Sequence, residues 1–168
     1  LPEEMGRRAR WVACAKYVEN GADALQAVLE ASFDPDRLVI IEAADGLDLP
    51  ECAQRIDPVK VEILMEGATR LVFKVGSDAP GWLLLADTWY PGWQAQVDQL
   101  NSPIFRADYL FRAIWLPAGE HQVVFSYRPP FFWVGVVLSL AGLLGLTLYT
   151  LLVSIRQSRA RRFGIRGE

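Results

Sequence analysis

Histidine occurs once in the 168 residues and cysteine twice, and Cys14 and Cys52 form no Cys-x-x-Cys pair. A structural zinc site gathers about four such ligands, so no metal is expected. No cofactor is expected either, since no glycine-rich phosphate loop is present. Positive charge is sparse over most of the chain: residues 1–130 carry 19 acidic side chains against 12 Lys or Arg, a net of −7. A nucleic-acid surface wants a basic face, so this balance argues against nucleic acid as a partner. There is no internal repeat and no low-complexity linker. Charge of either sign is missing altogether from residues 131–155, FFWVGVVLSLAGLLGLTLYTLLVSI.

That run has the length of a membrane crossing. At roughly 1.5 Å per residue its helix reaches about 37 Å, enough to span a hydrocarbon core of about 30 Å with some tilt. A soluble domain of this size has little room to enclose such a helix. The five arginines of the tail, Arg156, Arg159, Arg161, Arg162 and Arg166, stand against the single acid Glu168. Arg-rich flanks stay in the cytoplasm, which predicts three parts. Residues 1–130 form an extracytoplasmic domain, 131–155 a transmembrane helix, and 156–168 a basic cytoplasmic tail. The expected location is the cytoplasmic membrane, with the lipid bilayer as the first partner. An exported domain needs a signal segment or earlier membrane helices, and the opening LPEEMGRRAR is neither. The residues are therefore expected to be the C-terminal piece of a larger membrane protein. Gly135, Ser139 and Gly142 share one helix stripe with Gly145 beside it, and small residues so placed admit a close neighbour. Upstream helices of the same parent are the expected neighbours.

The first 130 residues suffice for one domain. Arg10–Val18 has strand character, Asn20-Gly21 breaks it, and apolar Ala24, Leu25, Val28, Leu29 and Ala31 fall at helical spacing. Pro35 in Phe33-Asp34-Pro35-Asp36 ends that helix, and Arg37–Glu42 is a buried strand. Residues 43–58 are loop by their Asp, Gly and Pro content. Strand periods follow at Val59–Met65, Thr69–Val75, Trp82–Tyr90, Trp93–Asp98, Phe105–Leu116 and His121–Tyr127. Trp82–Tyr90 and Trp93–Asp98 are expected to form a central hairpin across Pro91-Gly92. In Phe105–Leu116 the odd positions are apolar or aromatic, so they are expected buried, with Arg106, Asp108 and Arg112 wetter. The fold class is mostly β with one flanking helix (α+β): an antiparallel sandwich-like domain followed by one transmembrane helix. Cys14 and Cys52 are compatible with a disulfide in an oxidising compartment and equally with two buried thiols.

Site-like residues cluster around the Trp82–Tyr90 segment. Asp87 is placed on an apolar strand face with Leu83, Leu85 and Trp89, where a carboxylate must be paired. An ion pair with Arg112 or Arg106, a cap on the Pro91-Gly92 turn, and a carboxylate holding a sugar hydroxyl all satisfy that need. Trp89, Tyr90 and Trp93 flank the turn. They suit packing in a core or at the membrane interface, and also stacking on sugar rings. Asp87, Trp89, Tyr90, Trp93 and Arg112 are thus the candidate ligand-binding set. His121 has no Ser or Cys beside it as a nucleophile, and sequence spacing cannot make a glycosidase pair of Asp98 and Asp108. No catalytic residue is assigned.

The stretches LLLADTWYPGW and ADYLFRAIWLPAGEHQVVFSYRPP, followed by the apolar helix, resemble the C-terminal end of the YfhO-type bacterial integral membrane proteins. That family is grouped with the GT-C glycosyltransferases, which use polyprenyl-phosphate sugars. The resemblance implies an accessory domain and last helix, with the catalytic acid and lipid-phosphate site in loops upstream of Leu1. It also implies a glycan or a polyprenyl-phosphate sugar as partner of the whole protein. One departure stands out: the family pattern has Val-Asp-Gly after the Trp strand. Here Val97-Asp98 is followed by Gln99-Leu100-Asn101-Ser102, which predicts a longer loop. A binding module for carbohydrate or lipid headgroups, and a purely structural element, are the alternative readings.

Overall fold

The computed structural model describes residues 8–42 and 59–164, which form two compact units, one ending at Arg128 and one beginning at Pro129. The first unit is a two-sheet sandwich. Its six-stranded sheet contains β1 (Ala9–Val12), β2 (Cys14–Val18), β3 (Leu38–Glu42), β6 (Gly81–Leu85), β9 (Phe105–Ala107) and β10 (Phe111–Leu116), in the order β1-β6-β10-β9-β3-β2. The five-stranded sheet contains β4 (Lys60–Glu66), β5 (Arg70–Ser77), β7 (Trp93–Val97), β8 (Leu100–Ser102) and β11 (Gly119–Tyr127), in the order β4-β5-β11-β7-β8. Among the described residues every pairing is antiparallel except β2 with β3. Those two strands are joined through helix α1 (Gly21–Leu29), because parallel neighbours need a crossover.

Alternation along the strands builds two cores. Leu83, Leu85, Ile114 and Leu116 of the first sheet meet Leu71, Phe73, Val75, Val123 and Phe125 of the second. Each such buried side chain contributes roughly 1.5–3 kcal/mol. Trp82, Leu84 and Ala113 point the other way, into a cluster with Val12, Val39 and Ile41. Both faces of β6 and β10 are therefore covered, as the continuous apolar run of β6 requires. Ala24 and Ala27 of α1 pack on Ile40.

Several elements depart from the sequence reading. The opening segment is two strands with a bend at Ala13, because β1 pairs with β6 while β2 pairs with β3. Asn20 is the N-cap of α1, its side chain accepting from the Ala22 and Asp23 N–H groups at 2.9 and 3.1 Å. The helix ends at Leu29, a full turn before Pro35, with Glu30 already extended. The segment Phe105–Leu116 is a hairpin, not one strand. Asp108, Tyr109 and Leu110 turn the chain so that Ala107 lies opposite Phe111. The odd-even assignment fails with it: Arg112 is 1% exposed, whereas Phe111 and Tyr109 are half-buried. Arg112 shares the intersheet face with Ile114. The expected loop at 43–58, and with it Cys52 and any bridge to Cys14, lie outside the described residues.

The second unit is helix α2, Phe132–Gly164, which continues through the first arginines of the tail. Its segment Phe132–Arg156 contains an 18-residue window of mean hydropathy 2.2 and has no buried residue, the length and composition of a membrane crossing.

Candidate functional site

β6 stops at Leu85, where the Ala86 N–H turns back to the Arg8 carbonyl at 2.7 Å. Asp87 therefore leaves the strand face expected for it and enters a space between two arginines. Arg8 grips it with two parallel bonds, Nε to Oδ1 and Nη2 to Oδ2, both at 3.0 Å. Arg112 Nη2 donates to the same Oδ2 at 2.9 Å, and its Nη1 to the Thr88 carbonyl at 3.3 Å. Arg8 also pairs with Glu66 at the end of β4. Charges thus alternate along Glu66, Arg8, Asp87 and Arg112, which ties the edge of one sheet to the middle of the other. The hydrogen bond from Arg8 to Asp87 raises the Arg8 pKa above its ordinary value. Burial lowers that of Arg112, and the Asp87 charge opposes the shift.

Of the two partners that the sequence suggested for Asp87, only Arg112 is realised. Arg106 instead donates to the Tyr109 carbonyl at 2.7 Å and pairs with Glu42. Arg8 escaped the sequence reading. Its signal was the arginine-rich opening RRAR, but nothing local links that opening to a residue 79 positions away.

The Arg112 guanidinium carbon stands 3.9 Å from the Trp93 ring centroid, a cation–π contact. Trp93 also meets Tyr127 at 5.3 Å, and Tyr127 meets Tyr90 at 6.4 Å. The expected central hairpin does not exist. The Pro91-Gly92 turn, with Gly92 at φ 106°, passes the chain from one sheet to the other, and β7 pairs with β11 and β8. A positive φ there suits glycine and few other residues.

This crossing opens a cleft of about 360 Å³, lined by Trp89, Tyr90 and Trp93, by Gln94 on β7, and by Asn101 and Ser102 on β8. The candidate set therefore divides. Trp89, Tyr90 and Trp93 line the cleft, while Asp87 and Arg112 form an ionic brace behind Trp93. Sequence reasoning missed Asn101 and Ser102, because it placed β8 in a loop, and Gln94, because a polar strand position carries no local sign of a cleft.

His121 and the two turn aspartates have structural partners. Asp98 and Gln99 hold φ values of 48° and 71°, and Val97 lies opposite Leu100. The expected longer loop is therefore a two-residue turn without glycine. Asp98 Oδ1 accepts from the Gln122 N–H at 2.8 Å and its Oδ2 is 2.6 Å from His121 Nδ1. The bond to His121 first, and the Gln122 N–H second, lower the Asp98 pKa. Asp108 repeats the device in the other sheet. It sits at φ 46°, its Oδ1 takes the Ile40 N–H at 2.8 Å, and its Oδ2 takes Arg10 Nη2 at 2.8 Å. Buried at 6% exposure, Asp108 has its pKa raised by desolvation against the pull of Ile40 and Arg10. Each acid is bound within its own sheet, so the two do not form a glycosidase-like pair.

A β-sandwich carrying an ionic brace and an aromatic cleft, followed by one apolar helix, defines a membrane-anchored β-rich region. The family model described as bacterial membrane protein YfhO matches residues 47–139, more than half of the chain, which therefore belongs to that family of bacterial membrane proteins. A stretch of 90 residues is 26% identical to a protein of Bacillus subtilis (strain 168) described as uncharacterized protein YfhO, covering 54% of this chain and 10% of that protein. The chain thus spans about a tenth of the relative it matches. No solved structure matches it.

Proposed function

We propose that this chain is the extracytoplasmic accessory domain and last membrane helix of a multi-pass protein resembling the lipid-linked-sugar-dependent glycosyltransferases, with the reaction centre elsewhere in the parent. The observation that carries this reading is the charge asymmetry about α2. Five arginines lie in the 13 residues after the apolar segment, against Arg112 and Arg128 in the 20 residues before it, the bias that keeps the Arg-rich end in the cytoplasm. The brace favours an accessory role, because Asp87, the most site-like acid, is held by Arg8 and Arg112 and does not line the cleft. A Cβ added at Gly135, Gly142 or Gly145 would meet nothing within 4 Å, which leaves that stripe open to a helix of the parent.

Cysteine labelling tests the sidedness. In the parent protein, Asn101→Cys on the exposed β8 strand should react with a membrane-impermeant maleimide added to intact cells or spheroplasts, and a reporter fused after Glu168 should be active in the cytoplasm. Labelling of Asn101→Cys only after the cytoplasmic membrane is permeabilised would overturn the placement.

A further inference from the structure

We infer that the cleft lined by Trp89, Tyr90, Trp93, Gln94, Asn101 and Ser102 binds a short uncharged glycan. Its chemistry combines two kinds of group. Trp89 and Tyr90 are 37% and 59% exposed and offer aromatic faces, whose negative π-clouds attract the polarised C–H face of a pyranose ring. Gln94, Asn101 and Ser102 add amide and hydroxyl groups, which both donate and accept as sugar hydroxyls do. No residue lining the cleft is charged.

That last point separates the glycan from a phosphate headgroup. A phosphate calls for Arg, Lys or a helix N-terminus. Of the two guanidinium groups next to the cleft, that of Arg112 is 1% exposed, stacked against Trp93 and bonded to Asp87 and the Thr88 carbonyl. Arg112 is therefore not available to a ligand. Arg128, whose backbone N–H donates to the Gly92 carbonyl at 2.8 Å, is exposed but does not line the cleft. A volume of about 360 Å³ lies within the roughly 300–1,000 Å³ of small-ligand pockets.

The platform is also held in place before any ligand arrives. Trp93 rests on Arg112 and Tyr127, and the Trp89 N–H donates to the Leu110 carbonyl at 2.7 Å. Asn101 sits on a paired strand opposite Gln96, whose Nε2 donates to its Oδ1 at 3.2 Å, leaving the Asn101 NH₂ group to donate. Trp93, Gln94, Asn101 and Ser102, fixed on strands, lose little freedom on binding. Asp87 and Arg8 act as positioning residues through Arg112.

The test uses the full chain in nanodiscs of phosphatidylcholine and phosphatidylglycerol, avoiding detergents with sugar headgroups. Cellohexaose, maltohexaose and N-acetylated chitohexaose are titrated by calorimetry, with inorganic phosphate and glucose 1-phosphate as charged probes. The expected result is saturable binding of at least one neutral oligosaccharide and of neither charged probe. Trp89→Ala should weaken that binding roughly tenfold or more, Trp89→Phe should retain most of it, and the exposed Asn101→Ala should weaken it without changing the melting temperature. The inference is overturned by no saturation at millimolar oligosaccharide, by stronger binding of the charged probes, or by affinities unmoved in Trp89→Ala and Asn101→Ala. The site rests on extracytoplasmic placement only for its access to envelope glycans. A nanodisc exposes both membrane sides, so failed binding here and failed sidedness in the labelling test are separate results.

Discussion

Arg112 donates to Asp87 Oδ2 at 2.9 Å from a side chain that is only 2% exposed, whereas the Asp87 side chain is 22% exposed. The buried partner is thus the cation. Its positive charge is tolerated inside the sandwich because one carboxylate neutralises it, the Thr88 carbonyl takes a second N–H and the Trp93 ring covers it. Removing the acid strands that charge, which costs about 3–5 kcal/mol when a buried pair is broken from one side. Asp87→Ala should therefore lower the unfolding free energy of the sandwich by about 3 kcal/mol. Asp87→Asn should cost less, since its amide oxygen can still accept one bond. In the Asp87→Ala background, Arg112→Leu should recover part of the loss, because the unpaired charge goes with it. Urea unfolding followed by near-UV circular dichroism measures all three. An Asp87→Ala protein as stable as wild type would show that the brace contributes nothing.

The β7–β8 turn leads to a gain of stability. Gln99 holds φ 71° directly after Asp98 at 48°, so both central residues are left-handed, as a two-residue type I′ turn demands. A side chain at that φ costs roughly 1–2 kcal/mol relative to the right-handed region. Gln99→Gly should stabilise the domain by about 1 kcal/mol after the greater chain freedom of glycine is subtracted. Asp98→Gly should not, because it also removes the acceptor for the Gln122 N–H and His121. Melting temperatures of the two variants should move in opposite directions, and a fall for Gln99→Gly would mean that its side chain makes a compensating contact.

That turn also shows where the sequence was readable and where it was not. The sandwich class, the apolar helix and the family were legible because they rest on long patterns: the alternation in Leu71–Val75, the full apolarity of Trp82–Leu85, and a charge-free run of 25 residues. The aromatic cleft was half legible, since Trp89, Tyr90 and Trp93 adjoin one turn. What failed were the interruptions. Two left-handed pairs, Asp98-Gln99 and Asp108-Tyr109, reverse the chain without the glycine that usually marks such a turn. In the sequence one therefore reads as a long loop and the other as continuous strand. Arg112 then fell out of phase, since its burial depends on Asp87 and Trp93, which no local periodicity reveals.

Gly81 offers a steric prediction. It opens β6 fully within the sandwich, and a Cβ built on it would run into the indole of Trp11 on neighbouring β1. Overpacking of this kind costs typically about 1–3 kcal/mol. Gly81→Ala should therefore destabilise by about 2 kcal/mol, although alanine is otherwise the better strand residue. Trp11→Leu alone should also destabilise, through lost burial. The double variant should be more stable than the sum of the two changes predicts, since the smaller leucine makes room for the added methyl. Strict additivity in denaturant midpoints would show that the chain shifts elsewhere to accept the Cβ.

Asp98 and Asp108 use one device in two settings, and they should leave opposite marks on stability as pH changes. The Asp98 pKa is lowered, chiefly by His121 and then by the Gln122 N–H. Its contribution is present above the ordinary aspartate value of about 3.9 and is lost as pH falls through its depressed folded value. The Asp108 pKa is raised, because desolvation outweighs the Ile40 N–H and Arg10. The folded state therefore holds the Asp108 proton more tightly than the unfolded chain does. That contribution is fully present below about pH 3.9 and declines as pH rises through the raised folded value. Unfolding free energies of wild type, Asp98→Asn and Asp108→Asn across acid pH separate the two. The difference between wild type and Asp98→Asn should shrink towards the acid end, below the ordinary aspartate pKa. The difference between wild type and Asp108→Asn should instead fall with rising pH, above it. Should that second difference grow with pH, the ion pair with Arg10 at 2.8 Å outweighs burial, and the folded Asp108 pKa lies below the unfolded value.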